Sequence, residues 1–253
     1  MSSSVKSYFN YLLHRKSRYD IHSPLIFQFI NTVLRSKKGP DSSARNTLLK
    51  NKSILKKVEL GAGSKHRKQS LTIAQSTKIS AINKKFSKLL FNISKSFTPS
   101  NILEFGTHFG IGTLAMHEGN PKAKITSIEG CPNTFAIARR TIAQFANDDH
   151  QINLINTSFD DFLEHDHPSD PYELVYIDGN HQKEATLKYF EFALENASDF
   201  CIIILDDINW SQEMQEAWQI IIDQKTYYTV DLFRMGVVFV NDPIKAEHLI
   251  LKY

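Results

Sequence analysis

The residues from Asn101 to Val240 alternate between strand-like and helix-like segments, and this alternation restricts the fold more than any other feature. The strand-like runs are 102–105, 124–129, 152–156, 174–178 and 202–206, and the helical stretches are 112–118, 132–146, 183–196 and 211–224. Strands that alternate with helices predict a parallel sheet with helices on both faces. The sequence therefore predicts an α/β fold with a doubly wound, Rossmann-like sheet.

The end of the chain breaks this alternation. Two strand-like runs, 229–233 and 236–240, are separated only by Arg234 and Met235. A connection that short joins antiparallel strands, because a parallel pair needs a long crossover. We expect a mostly parallel sheet with a C-terminal antiparallel hairpin, whereas a dinucleotide-dependent dehydrogenase would more naturally continue with parallel crossovers.

The first 98 residues predict a helical extension or lid that precedes a sheet domain over 99–253. Ser23 and Pro24 are typical of a helix start, an N-cap followed by proline at the first helical position. A further helix is predicted from about Ile79 to Ser96, ending before Pro99, which disfavours helical geometry in the preceding residue. The stretch 36–53 is polar and basic, so we expect a loop there.

The extension is strongly basic. Residues 1–100 contain 20 Lys and Arg against three acidic residues, a balance of +17, and the remaining 153 residues have a balance of −14. This asymmetry predicts either an anionic partner such as RNA or two halves that attract each other. Aromatic residues do not interleave with the lysines as a base-stacking surface requires, which weakens the nucleic-acid interpretation.

Composition also narrows the expected compartment. No apolar run approaches the roughly 20 residues that span a membrane, so we expect no membrane association. The residues after Met1 lack the apolar core of a secretory signal. Cys131 and Cys201 both fall in segments predicted to be core, which favours buried thiols and a reducing cytoplasm over a disulfide. A homodimer is left open by the sequence.

A glycine-rich segment, Ile-Leu-Glu-Phe-Gly-Thr-His-Phe-Gly-Ile-Gly-Thr over 102–113, joins the first of these strands to its helix. Gly106, Gly110 and Gly112 allow a ligand close to the backbone, and the helix N-terminus offers unpaired N–H groups. Their spacing differs from the GxGxxG of dinucleotide folds. Glu129 closes the next strand, where a carboxylate can accept both hydroxyls of a ribose.

A second glycine-rich segment, 58–64, is similar in pattern but is rejected as a cofactor loop. No acidic residue follows it before Glu104, so no carboxylate is available for a ribose. A basic, polar stretch follows it instead of a strand–helix repeat.

Acidic side chains follow two later strands. Asp178 ends one apolar run within the motif Asp-Gly-Asn-His, and Asp206 and Asp207 end another. Ligands of open α/β sheets bind near the carboxyl ends of strands, and buried carboxylates are costly unless paired, hydrated or metal-bound. The three aspartates predict a site for Mg²⁺ or another divalent cation. The alternative is that Asp178 orients a ligand while Asp206 and Asp207 cap the following helix.

Residues 101–240, through the glycine-rich loop and the Asp-Gly-Asn-His motif, resemble the class I S-adenosylmethionine-dependent methyltransferases. The nearest types are O-methyltransferases of the catechol and macrocin kind. The whole chain resembles a bacterial family of methyltransferases, on the motifs Asp20-Ile-His-Ser-Pro24, Gly61-Ala-Gly-Ser64 and Asp231-Leu-Phe-Arg-Met-Gly236.

The resemblance implies S-adenosylmethionine as the cofactor. The residues implied to bind it are Glu104, Gly106, Gly110, Gly112, Glu129, Ser158, Phe159 and Asp178. Ser158 and Phe159 are implied to bracket the adenine, although simple core packing is an equal interpretation of Phe159.

The resemblance also implies a catalytic arrangement. Catechol-type enzymes hold Mg²⁺ with an aspartate after the fourth strand, matched by Asp178, and an Asp-Asn pair after the fifth, where Asp206 matches and Asp207 replaces the asparagine. Their general base is a lysine at the position of His181. An imidazole with an ordinary pKa of about 6.5 suits that role, although His181 could equally orient substrate or bind metal.

The implied function is methyl transfer to an oxygen of a small-molecule hydroxyl compound by a cytoplasmic enzyme, with His181 and Asp178 as catalytic residues. The alternative is an RNA methyltransferase that uses the basic extension. An oxidoreductase is disfavoured by the glycine spacing and the terminal hairpin, and the combined presence of the acids and His181 argues against a non-catalytic binding protein.

Overall fold

The computed structural model describes residues 11–16, 23–55, 71–165, 168, 170–240 and 246–253. The helices are α1 (Pro24–Gln28), α2 (Ser43–Lys50), α3 (Ile73–Ile79), α4 (Lys84–Phe97), α5 (Ile111–Gly119), α6 (Pro132–Phe145), α7 (Phe159–His165), α8 (Lys183–Glu195) and α9 (Gln212–Asp223). The strands are β1 (Ile54–Leu55), β2 (Leu71–Thr72), β3 (Asn101–Phe105), β4 (Lys124–Ile128), β5 (Ile152–Ile155), β6 (Tyr172–Ile177), β7 (Ala197–Leu205), β8 (Tyr228–Asp231), β9 (Gly236–Val240) and β10 (His248–Ile250). The glycine-rich segment 58–64 and residues 20–22 of the N-terminal motif lie outside the described residues.

The chain forms two compact units. The first combines the residues up to Asn31 with 101–103 and the residues from 167 onward, and the second combines 32–100 with 104–166. None of the described helices is long and apolar enough to cross a membrane. The proposed boundary between an extension and a sheet domain at residues 98 and 99 stays a prediction.

The first unit is built on strands in the order β10-β8-β9-β7-β6-β3. β6 and β7 run parallel, with Leu174 opposite Ile202 and Ile177 opposite Leu205. β9 lies between β7 and β8 and is antiparallel to both, so the predicted C-terminal hairpin is confirmed. β8 also pairs in parallel with β10, an edge strand that the sequence did not predict.

The N-terminal residues of the first unit pack on its C-terminal strands. The Tyr11 hydroxyl donates to the Leu251 carbonyl oxygen at 2.7 Å, and the Tyr11 ring lies 5.3 Å from the Phe233 ring. Ser23 caps α1 as predicted, accepting from the Ile26 N–H. The described start of the extension is therefore part of the core of this unit.

The second unit contains the strand order β3-β4-β5, and β4 and β5 are parallel. Helix α4 begins where the Asn83 side chain accepts from two backbone N–H groups, and it ends at Thr98, whose φ of 47° is left-handed. The end before Pro99 matches the sequence prediction. Together the two units confirm a mixed α/β fold with mostly parallel strands.

Two predictions for the extension need correction. The helix predicted from about Ile79 to Ser96 is α4, but it begins at Lys84, because Asn83 caps it there, and Ile79 ends the separate helix α3. The expected loop over 36–53 contains α2, whose buried residues Ala44 and Leu48 are four positions apart. A single pair of apolar residues on one helical face is too weak a pattern to indicate that helix from sequence.

Helices α4 and α5 make a close contact at Gly119. A Cβ atom on Gly119 would lie 2.4 Å from the Phe91 carbonyl oxygen and 2.9 Å from the Ser94 Cβ. The Ser94 hydroxyl also donates to the Met116 carbonyl oxygen at 2.7 Å. This contact fixes α5, the helix that begins at the glycine-rich loop.

The substitution Gly119→Ala is expected to lower the free energy of unfolding by about 1–3 kcal/mol, because backbone atoms must move to admit the methyl group. Alanine's higher helix propensity would act in the opposite direction. The matched control is Gly39→Ala, whose Cβ would lie 3.4 Å from the flexible Lys88 side chain. Urea unfolding of both variants measures the difference, and equal stability would contradict the steric explanation.

Candidate functional site

The glycine-rich loop lies between β3 and α5 in the second unit. Gly106 and Gly110 have left-handed φ angles of 104° and 81°, which L side chains rarely adopt. A Cβ on Gly110 would also meet the Ile142 side chain at 3.0 Å. Gly112 is buried in the first turn of α5, whose first N–H groups have no partner within the helix.

Glu104 is buried directly before this loop, with 1% of its surface exposed. Its Oε2 atom accepts from the hydroxyls of Thr113 and Ser127, and Thr107 extends the network to Ser127 at 2.6 Å. Burial raises the pKa of Glu104 to about 7, against the effect of the two hydroxyls. Its Oε1 atom is buried without a hydrogen-bond partner among the described residues.

Glu129 follows β4 and is held by backbone groups. Its Oε2 accepts from the His108 N–H at 2.9 Å, and its Oε1 accepts from the Cys131 N–H at 2.9 Å. The Asn156 side chain fixes the Glu129 backbone by donating to its carbonyl oxygen at 2.6 Å. Each carboxylate oxygen can accept more than one hydrogen bond. The carboxylate is thus held in one orientation beside the glycine-rich loop and suits a ligand with two neighbouring hydroxyls.

Ser158 and Phe159 lie at the start of α7. The Ser158 hydroxyl donates to Asp161 Oδ2 at 2.6 Å and accepts from the Asp161 N–H, so it caps the helix. The half-buried Phe159 ring packs edge-on against Phe105, with 5.5 Å between centroids. These contacts are structural, and a role beside an adenine stays a prediction.

In the first unit the structure brings Asp178, Asp206, Asp207 and His181 together. Asp206 is fully buried, and Arg234 donates to both of its oxygens, Nε to Oδ1 at 2.8 Å and Nη2 to Oδ2 at 2.7 Å. Arg234 Nε also lies 3.3 Å from Asp207 Oδ1. Burial alone would lower the pKa of Arg234, but the hydrogen bonds and charge of Asp206 raise it.

Burial shifts the pKa of the other three groups of this cluster, upward for the two aspartates and downward for the histidine. Burial, together with repulsion from Asp206 and Asp207, raises the pKa of Asp178 well above its usual value. Burial and repulsion from Asp206 raise the pKa of Asp207 to about 6. Burial lowers the pKa of His181 below 6.5, so its ring is neutral at pH 7. His181 Nε2 lies 3.9 Å from an oxygen of each of these two aspartates, Asp178 Oδ1 and Asp207 Oδ2.

The predicted metal ligands Asp178, Asp206 and Asp207 do not fit a divalent cation in this arrangement. Asp206 already accepts hydrogen bonds at both oxygens from the guanidinium group of Arg234. Among the described residues, the set whose ligand atoms all lie within 4.8 Å of one another is Asp148, Asp149 and His150, all of them exposed. The structure therefore supplies no reason to place Mg²⁺ at the aspartate cluster.

Four residues that contribute to these sites were not predicted from the sequence. In the sequence, Arg234 stands in a short link and in a family motif, and neither indicates that it pairs with Asp206. A buried Asp206 nevertheless requires a positive partner. Tyr176 precedes Asp178 by two positions, and its hydroxyl shares one proton between Asp178 Oδ2 at 3.0 Å and Asp206 Oδ2 at 3.3 Å. Thr113 and Ser127 could have been suspected only from the need of Glu104 for hydrogen-bond donors.

The substitution Glu104→Gln tests whether Glu104 is neutral in the folded protein. Its folded pKa of about 7 exceeds the ordinary 4.5, so its contribution to stability is complete below pH 4.5 and is lost as the pH rises through about 7. The difference corresponds to about 3 kcal/mol. Glutamine does not titrate. The free energy of unfolding of the variant, relative to that of the wild-type protein, should therefore rise by about that amount between pH 4.5 and pH 8.

Urea unfolding at both pH values measures this relative gain, with the exposed Glu164→Gln as the control. A relative stability of Glu104→Gln that does not change with pH would show that Glu104 is ionised in the folded protein.

Residues 103–208 match a protein family described as "Methyltransferase domain". A comparison with curated protein sequences gives no match.

Solved structures give further similarities. An O-methyltransferase from Bacillus cereus in complex with SAH is 18% identical, with a TM-score of 0.61, covering 85% of this chain and 96% of that one. The O-methyltransferase TomG from Streptomyces achromogenes, in complex with SAM, is 18% identical, with a TM-score of 0.55 and coverage of 64% and 81%. A SAH-bound methyltransferase from Podospora anserina is also 18% identical, with a TM-score of 0.55 and coverage of 63% and 79%. Residues 103–208 of this chain thus match a methyltransferase domain, and the fold is similar to that of these solved methyltransferases.

Proposed function

We propose that this protein transfers a methyl group from S-adenosylmethionine to an oxygen atom of a small hydroxyl compound. The observation that carries the proposal is the Glu129 carboxylate, fixed by the N–H groups of His108 and Cys131 next to the glycine-rich loop. A fixed carboxylate after the second strand of such a unit suits the two hydroxyls of a ribose. The solved relatives named for O-methyl transfer and for bound SAM or SAH support the same cofactor and reaction.

The residues of the second unit fit this cofactor in their chemistry. Gly106 and Gly110 keep the turn free of side chains, and the N-terminus of α5 offers backbone N–H groups. The buried Glu104 Oε1 is an acceptor without a partner among the described residues. Bound S-adenosylmethionine supplies a methyl group on a positively charged sulfur, which leaves as a neutral thioether when the methyl group is transferred.

His181 is the proposed proton acceptor. Its pKa is lowered by burial, so at pH 7 the ring is neutral and can take a proton from an acceptor hydroxyl. A proton at Nε2 would be stabilised by Asp178 and Asp207, whose oxygens lie 3.9 Å away. In this proposal Asp178 orients His181, no step passes through a metal ion, and the rest of the catalysis is the positioning of the reactants.

The substitution Glu129→Ala is expected to weaken binding of S-adenosylmethionine roughly tenfold or more. The reason is that hydrogen bonds to charged groups contribute about 1.5–3 kcal/mol each. Calorimetric titration measures the dissociation constant, and the control is Glu191→Ala, an exposed residue of α8. Wild-type protein that fails to bind S-adenosylmethionine at millimolar concentration, above all if it binds NAD⁺, would rule out the proposed function.

The substitution His181→Ala is expected to lower kcat by about 10²–10⁴-fold with little effect on cofactor affinity. Turnover is measured as S-adenosylhomocysteine formed with a panel of small hydroxyl acceptors. Wild-type kcat should fall as the pH drops through a pKa below 6.5, where His181 becomes protonated, and stay level above neutrality. An unchanged rate and pH profile in the variant would end the base assignment.

RNA is the alternative acceptor, favoured by the +17 balance of residues 1–100. The described helix α4 contributes Lys84, Lys85, Lys88 and Lys95 to that charge. The same assay with RNA at increasing salt separates the two acceptors. Binding through phosphates weakens steeply as the salt concentration rises, because the release of counterions from the RNA then contributes less free energy. Methylation of RNA in preference to every small hydroxyl compound would favour the alternative.

A further inference from the structure

The aspartate cluster of the first unit holds more negative charge than a buried site tolerates without a positive partner. Asp178 follows β6, and Asp206 and Asp207 follow β7. Such a cluster can be neutralised by a metal ion, by protonation or by a basic side chain. The structure places a basic side chain, Arg234, against Asp206 and Asp207.

Hydrogen bonds occupy both oxygens of Asp206, so a metal ion would have to displace donors that are already in place. Its Oδ1 accepts from Arg234 Nε at 2.8 Å and from the Asp207 N–H at 2.8 Å. Its Oδ2 accepts from Arg234 Nη2 at 2.7 Å and from the Tyr176 hydroxyl at 3.3 Å. An ionised carboxylate has about four lone-pair sites. Three N–H groups occupy three of them, and the fourth faces the Tyr176 hydroxyl, whose single proton is shared with Asp178.

The backbone around Arg234 is held as firmly as its side chain. The Arg234 carbonyl oxygen accepts from the Ile208 N–H at 3.0 Å, and the Phe233 carbonyl oxygen accepts from the Asn209 side chain at 2.7 Å. The Phe233 N–H donates to Asp231 Oδ1 at 2.6 Å. Two of these bonds come from the loop that carries Asp206 and Asp207. The guanidinium is therefore built into the cluster and is not a surface side chain that happens to reach it.

We propose that Arg234 takes the place of a divalent cation at this cluster, so that acceptor binding and methyl transfer need no metal ion. The second half of this inference, that acceptor binding and methyl transfer need no metal ion, rests on the proposed function. It departs from the Mg²⁺ site that the resemblance to catechol-type enzymes implies. A guanidinium cannot be deprotonated in a protein, so the charge beside His181 is permanent and does not depend on metal supply. Arg234 is a positioning residue, because it acts through Asp206 and Asp207.

The first test is a titration of the whole wild-type protein with Mg²⁺ and Mn²⁺ by calorimetry, with the Tm measured in parallel with and without EDTA. The expected result is no saturable binding at the cluster and a Tm that neither ion nor EDTA changes. Saturable binding of Mg²⁺ that is lost in Asp206→Asn would overturn the proposal.

The second test is the variant Arg234→Gln, which removes the charge and keeps part of the hydrogen bonding. Its Tm should fall by several degrees in EDTA, because Asp206 is left buried without a positive partner. Mn²⁺ or Mg²⁺ should restore part of that loss. The matched control is Arg140→Gln, an exposed residue of α6. A variant as stable as wild type would show that Arg234 does not neutralise the cluster.

Two further variants keep the test decisive if Arg234→Gln does not fold. Arg234→Lys retains a positive charge but lacks the two-pronged guanidinium that binds both Asp206 oxygens. Because the charge is kept, metal ions should leave its Tm unchanged, as in the wild-type protein. The double variant Asp206→Asn with Arg234→Gln removes both charges and should fold without metal. A metal-dependent Tm in either would contradict the proposal.

Failure of this inference is distinguishable from failure of the proposed function. Wild-type protein that binds no S-adenosylmethionine disproves the function, whatever the metal titration gives. Protein that binds the cofactor and transfers methyl groups at least tenfold faster in Mg²⁺ than in EDTA disproves only the role of Arg234. Equal rates of methyl transfer in Mg²⁺ and in EDTA support both the proposed function and the role of Arg234.

Discussion

The burial of Asp206 at the end of β7 is the constraint on which the C-terminal half of the protein depends. A fully buried carboxylate is strongly destabilising without a partner, and Arg234 meets that need with two hydrogen bonds. The partner comes from the link before β9, the strand that lies antiparallel beside β7. The link between β8 and β9 then presents Arg234 at the level of Asp206. Gly236, the first residue of β9, lets the Trp218 ring pack against the backbone, because a Cβ there would lie 2.6 Å from that ring.

Glu104 represents a different solution to the same problem. No guanidinium or ammonium group of the described residues contacts it, and two hydroxyls donate to one of its oxygens. Two hydroxyls do not offset the burial, so its pKa rises to about 7. Asp206 needs a fixed positive charge, whereas Glu104 can change its charge near neutral pH. A ligand that carries positive charge into the second unit would favour the ionised form of Glu104.

The sheet could be predicted from sequence because its strands are short apolar runs buried on both faces. Ile202 to Leu205 shows the pattern, and the structure buries all four residues. The hairpin could be predicted because the link between its two strands is too short to join parallel strands. Helix α2 and strand β10 could not be predicted, because their few buried residues acquire meaning only from tertiary packing. The aspartate cluster was predicted from strand ends, but its positive partner was not. No local pattern connects Arg234 with a residue 28 positions earlier.

Backbone geometry separates the aspartate cluster from an ordinary buried ion pair. His181 and Phe233 have left-handed φ angles of 37° and 70°, and Asn180 and Asp207 have angles of 63° and 52°. Asn and Asp tolerate this region, but it costs roughly 1–2 kcal/mol for residues such as His and Phe. Such strain persists only where the surroundings determine the conformation, and it concentrates at functional sites. An ion pair between Arg234 and Asp206 alone would not require His181 to adopt this conformation. The strained backbone therefore supports a chemical role for the imidazole beyond the stability of the fold.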